Sequence, residues 1–195
     1  LIAMNDQKEN FDNLIRVRVL GIRSETRDIR RINLVSEDGS PLPGFSAGSH
    51  VDLVVHLPDR SRALRSYSIA SAPDKNPEHY TLAILYEEEG TGGSVFLHEK
   101  IRNEYIMEMS HPKNYFPLSE ESEHSILIAG GIGITPILSM AYELQSKGSS
   151  FELHYVTRSI DHMAFKKTIE DVFGNNSNLY FDDGKPSKGI DIKNL

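Results

Sequence analysis

The stretch Ser125–Pro136 reads SILIAGGIGITP, and it decides how the second half of the chain is interpreted. A continuous apolar run ends at Gly130 and Gly131, Gly133 follows, and Thr-Pro opens a helical pattern. Such a run is typical of a strand that is buried on both faces of a parallel sheet. Glycines at the corner permit a tight turn, and the N–H groups that begin the helix can hold a phosphate. The spacing is not GxGxxG, so a purely structural tight turn is the alternative interpretation.

The sequence after this corner alternates between helical and strand patterns. TPILSMAYELQSKG predicts a helix, FELHYVTR a strand over 151–158, DHMAFKKTIEDVFG a helix over 161–174, and NLYFDD a strand over 178–183. This βαβαβ order predicts half of a doubly wound nucleotide-binding fold. If no further strands follow, its first strand lies exposed at a sheet edge, which suggests an incomplete domain.

The sequence before the corner predicts an antiparallel barrel or sandwich. Its strands are short, alternate apolar with polar residues, and are separated by turns rich in glycine, proline and serine. The predicted strands are Leu14–Ile22, Asp28–Ser36, His50–Leu57, Ala63–Ser71, Tyr80–Glu87 and one near Tyr105–Ser110, with a short helix from Ser94 to about Ile101. The domain boundary is placed near Ser119–Glu123, which gives a first domain over 11–118 and a second over 124–195.

Composition narrows the possible partners. The net charge is −7 and no basic stripe interleaves with aromatic residues, so nucleic acid is not an expected partner. The chain has no cysteine, and its eight histidines lack ligand spacing, so we expect no metal site. No apolar run approaches the roughly 20 residues that span a bilayer, and no signal peptide is recognised. We therefore expect a cytoplasmic protein with no membrane partner, whose native start is Met4 after a vector remnant.

Two further motifs lie in the first half. In LRSYSIAS, a strand would point Arg65 and Tyr67 to one side and Ser66 and Ser68 to the other. An arginine there can hold a phosphate with two hydrogen bonds. An ordinary barrel strand with polar outward positions is the alternative.

The third motif is GTGGSVFLHEK, in which Gly92 and Gly93 precede Ser94 and a short helix. Ser94 is a good N-cap, and the start of the helix is a second place where a phosphate can bind. A flexible hairpin that ends in a capped helix is the alternative.

RSYS, GGS and GGIGITP, in this order, resemble the flavin and pyridine-nucleotide signature of the ferredoxin reductase superfamily. The segment GTGGSVFLHEKIRNEYIMEMSHPKNYFPL is most similar to the branch of phthalate dioxygenase reductase and vanillate O-demethylase reductase. The resemblance implies a six-stranded flavin-binding β-barrel followed by a nicotinamide-binding α/β domain.

The resemblance also implies roles for individual residues. Tyr67 would lie against the flavin and Ser68 near its N5 atom, as the catalytic contacts. The remaining flavin-binding residues would be Arg65, Ser66, the backbone of Ala83, Ile84 and Leu85, and, at the phosphate, Gly92, Gly93 and Ser94. The nicotinamide nucleotide would contact Gly130, Gly131, Gly133, Thr135, Pro136, Thr157, Arg158 and Asp182. This branch typically uses FMN, with FAD as the alternative, and leans to NADH, although Arg158 can accept the 2′-phosphate of NADPH.

The implied function is a reductase that passes electrons from NADH through flavin to a Rieske-type oxygenase. That branch also carries a [2Fe–2S] domain held by four cysteines. Because this chain has no cysteine, we expect a truncated chain whose iron–sulfur domain lies in a missing C-terminal part. The alternatives are an FAD-dependent ferredoxin or flavodoxin reductase and a non-catalytic flavin-binding electron-relay module.

Overall fold

The computed structural model describes residues 11–119, 121–185 and 188–192. Within these ranges, a six-stranded antiparallel sheet is followed by a three-stranded parallel sheet with helices, as the sequence predicts. The expected vector remnant before Met4 lies outside the described residues.

The first sheet closes into a barrel. Its strands are β1 (Ile15–Ser24), β2 (Ile29–Ser36), β3 (His50–His56), β4 (Arg62–Ser68), β5 (Tyr80–Leu85) and β6 (Ile106–Met109), with the helix α1 (Gly93–Glu99) before β6. The strand order is β4-β3-β6-β1-β2-β5, and the paired strands are antiparallel. The outer strands β4 and β5 meet where the Ala70 N–H donates to the Thr81 carbonyl over 2.8 Å. Beyond this contact, the seam between β4 and β5 is available to a ligand.

The barrel core follows from the alternation of the strands. On β3, Val51, Leu53 and Val55 point inward and are fully buried, because alternate side chains of a strand share one face. Apolar burial of this kind contributes roughly 1.5–3 kcal/mol for each large side chain. The core therefore fixes the register of β3 against β4, in which Asp52 lies opposite Ser66.

The second half has the predicted βαβαβ order. Its elements are β7 (His124–Gly130), α2 (Ile134–Ser146), β8 (Ser150–Thr157), α3 (Lys166–Phe173) and β9 (Ser177–Phe181). The parallel strands follow the order β7-β8-β9, so β7 lies at an edge of the described sheet. None of the helices in the described ranges combines the length and the apolar character that crossing a bilayer requires.

Two details differ from the sequence-based expectation. The prediction that β7 is buried on both faces is wrong, because Ile126 is 45% and Ile128 is 38% exposed. Only Leu127 and Ala129 are covered, since α2 and α3 pack on the same face of the sheet. The helix predicted over 161–174 begins only at Lys166, after a 3₁₀ turn at Ile160–His162.

The two halves share a continuous apolar core. Barrel residues Ile29, Ala47, Ala70 and Ala83 belong to the same buried cluster as the apolar side chains of α2, α3 and the parallel sheet. This contact holds the start of α2 beside the barrel seam, where the motifs of both halves meet.

Candidate functional site

One cavity of about 330 Å³ collects residues from all three motifs. It lies at the barrel seam, between β4, β5 and the start of α2. Its predicted site residues are Ser66, Tyr67, Ser68, Ala83, Leu85, Ser94, Gly133, Thr135 and Pro136. Glu87 and Ile132 also line it, although sequence reasoning did not select them.

Arg65 connects β4 with the glycine turn before α1. Its Nη2 donates to Thr91 Oγ1 over 2.6 Å, and its Nη1 donates to the Leu64 carbonyl over 2.7 Å. The side chain lies against Gly93, where an added Cβ would come within 2.8 Å of Arg65 Cγ. Gly93 is therefore needed to let the guanidinium reach the turn. Thr91 was missed because a threonine between glycines carries no distinctive signal.

The glycine turn itself is shaped by Gly92 and Ser94. Gly92 has φ 93°, and a Cβ there would meet the Pro58 ring at 2.7 Å. Ser94 is buried, and its Oγ lies 3.1 Å from the Glu87 N–H and 3.3 Å from the Glu87 carbonyl. The Ser94 hydroxyl thus ties the turn to the end of β5, which leaves its backbone N–H as the group that a phosphate can use.

Tyr67 and Ser68 end β4 at the cavity. Burial raises the pKa of Tyr67 to about 12, although the positive charge of Arg65 acts in the opposite direction. Tyr67 therefore stays a neutral phenol, and it offers the cavity an aromatic ring. Ser68 lines this cavity and also an adjoining one of about 220 Å³, and Pro136 of α2 does the same.

β5 supplies the opposite wall of the seam. Ala83 and Leu85 line the cavity, whereas the Ile84 side chain points into the barrel core. The Ile84 carbonyl accepts a hydrogen bond from His98 Nε2 at 2.8 Å, so this nitrogen carries the proton. Burial lowers the pKa of His98, which keeps the ring neutral in this role. His98 thereby fastens α1 to β5.

A buried carboxylate on β3 holds β4 through a hydrogen bond with Ser66. Asp52 on β3 accepts hydrogen bonds from Ser66 Oγ and from Lys113 Nζ, the latter at 2.6 Å. Burial alone would raise the pKa of Asp52, but the hydrogen bonds from Lys113 and Ser66 outweigh it and lower the pKa. Ser66 is therefore anchored to the barrel. Asp52 was missed, although a lone charge within the apolar run of β3 is a usable signal.

The adjoining cavity is lined by aromatic residues that sequence reasoning also missed. Tyr115 is 82% and Phe116 is 54% exposed, and the Tyr115 ring lies 5.4 Å from that of His50. Together with Ser66 and Ser68 they form the outer rim of the seam. Two consecutive exposed aromatic residues in a loop were the available signal.

The glycine corner forms a 3₁₀ turn before α2. Gly130 ends β7 in an extended conformation, and Gly131 has φ 51°. The Tyr155 hydroxyl donates to the Gly131 carbonyl over 3.1 Å. The Thr135 hydroxyl donates to the Ile132 carbonyl over 3.1 Å, so it braces the turn.

Thr157, Arg158 and Asp182 come together at the carboxyl ends of β8 and β9. The Asp182 N–H donates to the Thr157 carbonyl over 3.1 Å, and Asp182 Oδ1 accepts from the Gly184 N–H at 2.8 Å. Thr157 is buried, and its hydroxyl donates to the Ser159 carbonyl. These three residues do not line the 330 Å³ cavity. They lie at the edge where nucleotides bind in parallel sheets.

Within residues 11–119, 121–185 and 188–192, no group of three or more histidine, cysteine, aspartate or glutamate side chains is arranged to hold a metal ion.

Comparisons with known proteins agree with the resemblance found in the motifs. No family model matches the chain. It is 41% identical over 183 residues to the vanillate O-demethylase oxidoreductase of Pseudomonas sp. (strain HR199 / DSM 7063), covering 93% of this chain and 56% of that protein. It is 36% identical over 182 residues to the tert-butanol monooxygenase / tert-amyl alcohol desaturase reductase subunit of Aquincola tertiaricarbonis, covering 93% and 52%.

Among solved structures, phthalate dioxygenase reductase matches with a TM-score of 0.84 and 34% identity. The match covers 92% of this chain and 55% of that one. The predicted resemblance and two-part fold are thereby confirmed, and the chain spans about half the length of the relatives it matches.

Proposed function

We propose that the chain is the flavin- and nicotinamide-nucleotide-binding part of an oxygenase reductase component, a class of protein that it resembles over more than nine-tenths of its length. The whole protein would take electrons from NADH, pass them through flavin and a [2Fe–2S] centre, and deliver them to an oxygenase component. The chain itself would perform the first of these transfers.

The observation that carries the proposal is the shared 330 Å³ cavity. It brings the last residues of β4, the second half of β5 and the first turn of α2 to one place. A hydride can pass between two rings only if both are held in contact, so a site for this reaction must be built from both halves. The barrel and the α/β half each contribute a motif to this cavity.

The residues present fit a flavin. Tyr67 offers an aromatic face, Ala83 and the serines leave room for a flat ring, and the turn at Gly92 and Gly93 lies next to Arg65, where a flavin phosphate would be held. A charge-assisted hydrogen bond from a guanidinium to a phosphate is among the stronger contacts available to a protein.

A bound flavin supplies the chemistry, because it accepts a hydride and releases electrons one at a time. The protein would position the flavin ring, shield it from water and polarise it. We assign Ser68 to a hydrogen bond at the flavin N5 edge and Tyr67 to packing against the ring. Ser66, which donates to Asp52, anchors the strand that carries both residues.

We assign the nicotinamide nucleotide to the α/β half. Gly130, Gly131 and Gly133 would admit the pyrophosphate, and Thr135 and Pro136 would adjoin the nicotinamide, since both line the cavity with Ser68. Thr157, Arg158 and Asp182 would receive the adenosine part at the ends of β8 and β9. We propose NADH, because an acidic group near the ribose favours the free 2′-hydroxyl over a 2′-phosphate.

The flavin is proposed to be FMN. Its identity distinguishes the phthalate dioxygenase reductase branch from an FAD-dependent ferredoxin or flavodoxin reductase. Heat-released flavin, separated by reverse-phase chromatography against FMN and FAD standards, is the test. A pure FMN peak supports the proposal. A pure FAD peak would favour a ferredoxin or flavodoxin reductase, and no flavin after reconstitution with either would contradict the proposal.

The proposed electron acceptor is a Rieske-type oxygenase component, with a cytoplasmic location for the pair. The [2Fe–2S] centre cannot be held by cysteines of this chain, since it has none. In the solved phthalate dioxygenase reductase, electrons pass from pyridine nucleotides to [2Fe–2S]. Reduction of a purified Rieske oxygenase by the whole protein and NADH tests this step.

A further inference from the structure

Glu25 is a barrel carboxylate that reaches into the α/β half. Its side chain is 12% exposed, and its Oε1 lies 3.2 Å from Arg31 Nη1. Its Oε2 accepts a hydrogen bond from the Phe165 N–H at 3.0 Å. Phe165 directly precedes α3 and has φ 59°, a left-handed conformation that is costly for a bulky residue. A negative group from one half thus stabilises a strained helix start in the other half.

From this helix start, contacts lead to the glycine corner. The hydroxyl of the fully buried Tyr155 donates to the Gly131 carbonyl over 3.1 Å, and Tyr155 packs in the same buried apolar cluster as Ala164 and Phe165. Burial raises the pKa of Tyr155, so its hydroxyl keeps the proton that it donates. The Gly131 carbonyl also accepts from the Ile134 N–H, which begins α2.

A second carboxylate makes the reverse contact. Glu143 on α2 accepts a hydrogen bond from the barrel's Ala47 N–H at 3.2 Å, while its other oxygen lies 2.6 Å from Lys147 Nζ. Each half therefore offers a carboxylate to a backbone N–H of the other. Contacts of this kind limit sliding along an apolar interface, because apolar packing alone is not directional.

We propose that Glu25 is a positioning residue that fixes the glycine corner from the barrel, acting through Phe165, Ala164 and Tyr155. It sets where Gly131 and the first turn of α2 lie relative to Ser68. Its value for hydride transfer rests on the proposed function, whereas the mechanical coupling itself requires no cofactor. A misplacement of about 1 Å between reacting groups can cost on the order of a hundredfold in rate.

The test is amide hydrogen exchange at Ile134 in the full chain without cofactor. Losing a hydrogen bond to a charged group typically lowers local stability enough for roughly a tenfold change. Glu25→Ala should therefore speed exchange at Ile134 about tenfold. Glu25→Gln should have a smaller effect, because its amide oxygen still accepts from the Phe165 N–H. The matched control is Glu37→Ala, which removes a barrel carboxylate paired only with Arg16 among the contacts described.

Tyr155→Phe tests whether the effect of Glu25 reaches the start of α2 through the Tyr155 hydroxyl. It keeps the ring and removes the hydroxyl, so it should speed exchange at Ile134 by itself, and Glu25→Ala should add little in that background. Exchange that increases only at the start of α3, or effects of the two substitutions that simply multiply, would overturn the proposal.

A second experiment measures the KM for NADH and the flavin affinity. In the flavin-loaded protein, Glu25→Ala should raise the KM for NADH and leave flavin affinity unchanged, since the described side-chain contacts of Glu25 go to Arg31 and Phe165, not to a proposed flavin-binding residue. Loss of flavin affinity would instead indicate a general structural role. Because the exchange experiment uses no cofactor, it can succeed or fail independently of the flavin-extraction test of the proposed function.

Discussion

Arg65 and Arg62 lie on the same strand, but their side chains contact different residues. Arg65 extends to Thr91 in the glycine turn, whereas Arg62 pairs with Glu108 at 2.6 Å on the barrel surface. We expect Arg65→Ala to weaken flavin binding about tenfold to a hundredfold, because a charge-assisted contact is worth roughly 1.5–3 kcal/mol. Arg62→Ala is the matched control and should change it by less than about twofold. Flavin dissociation constants from fluorescence titration measure both, and equal losses would remove Arg65 from the site.

Asp52 makes the stability of the protein depend on pH. Its pKa is lowered in the folded protein, so its contribution to stability is present above the pKa of an unfolded aspartate, about 3.9, and is lost as pH falls through the folded pKa. Asp52→Asn should therefore lower the free energy of unfolding at pH 7, by roughly 1–3 kcal/mol. Denaturant unfolding of both proteins from pH 7 to pH 3 is the measurement. A difference that stays constant or widens toward pH 3 would contradict this account.

The motifs selected Tyr67, Ser68 and Pro136, and the structure places all three at the cavity. Their roles in binding stay predictions. Thr91 and Asp52 were not found, because their roles depend on partners that are distant in sequence: Asp52 meets Lys113 only when β3 has folded next to the loop after β6.

Gly48 determines how the loop after β6 packs on the barrel and on α2. It has φ 86°, and a Cβ there would lie 1.9 Å from the Phe116 carbonyl oxygen and 3.0 Å from Met140 Cε on α2. Gly48→Ala should therefore displace this loop and destabilise the protein by several kcal/mol, the sum of a backbone penalty and a clash.

Gly39→Ala is its matched control, since Gly39 has φ 80° and nothing lies within 4 Å of an added Cβ. It should cost only the backbone penalty, about 1 kcal/mol. Thermal unfolding of both variants measures the difference. Equal melting temperatures would show that the loop after β6 yields to the new methyl group.

Periodicity predicted most elements correctly and failed where packing overrides local pattern. The barrel strands alternate and lie close to their expected bounds. The late start of α3 depends on the left-handed Phe165, which Glu25 of the other half supports. The exposure of Ile126 and Ile128 depends on which faces of the sheet helices cover, and an apolar run does not specify that.

The cavity depends on how the two halves of the molecule pack against each other. The motifs predicted two nucleotide-binding halves, but not that Tyr67, Ser68 and Pro136 would share one cavity. That arrangement comes from the apolar core in which Ala70 and Ala83 of the barrel pack with α2, and such long-range contacts leave no periodic signal in the sequence.

Flavin and nicotinamide are proposed to meet in this cavity, and anaerobic reduction tests this claim most directly. The protein is loaded with FMN, mixed with NADH without oxygen, and followed at the absorbance of the oxidised flavin. We expect the absorbance to bleach with NADH, and to bleach more slowly in Gly133→Leu, whose side chain would extend into the cavity that Gly133 lines. Flavin that binds but is not bleached by NADH or NADPH, or equal rates in both proteins, would contradict the claim.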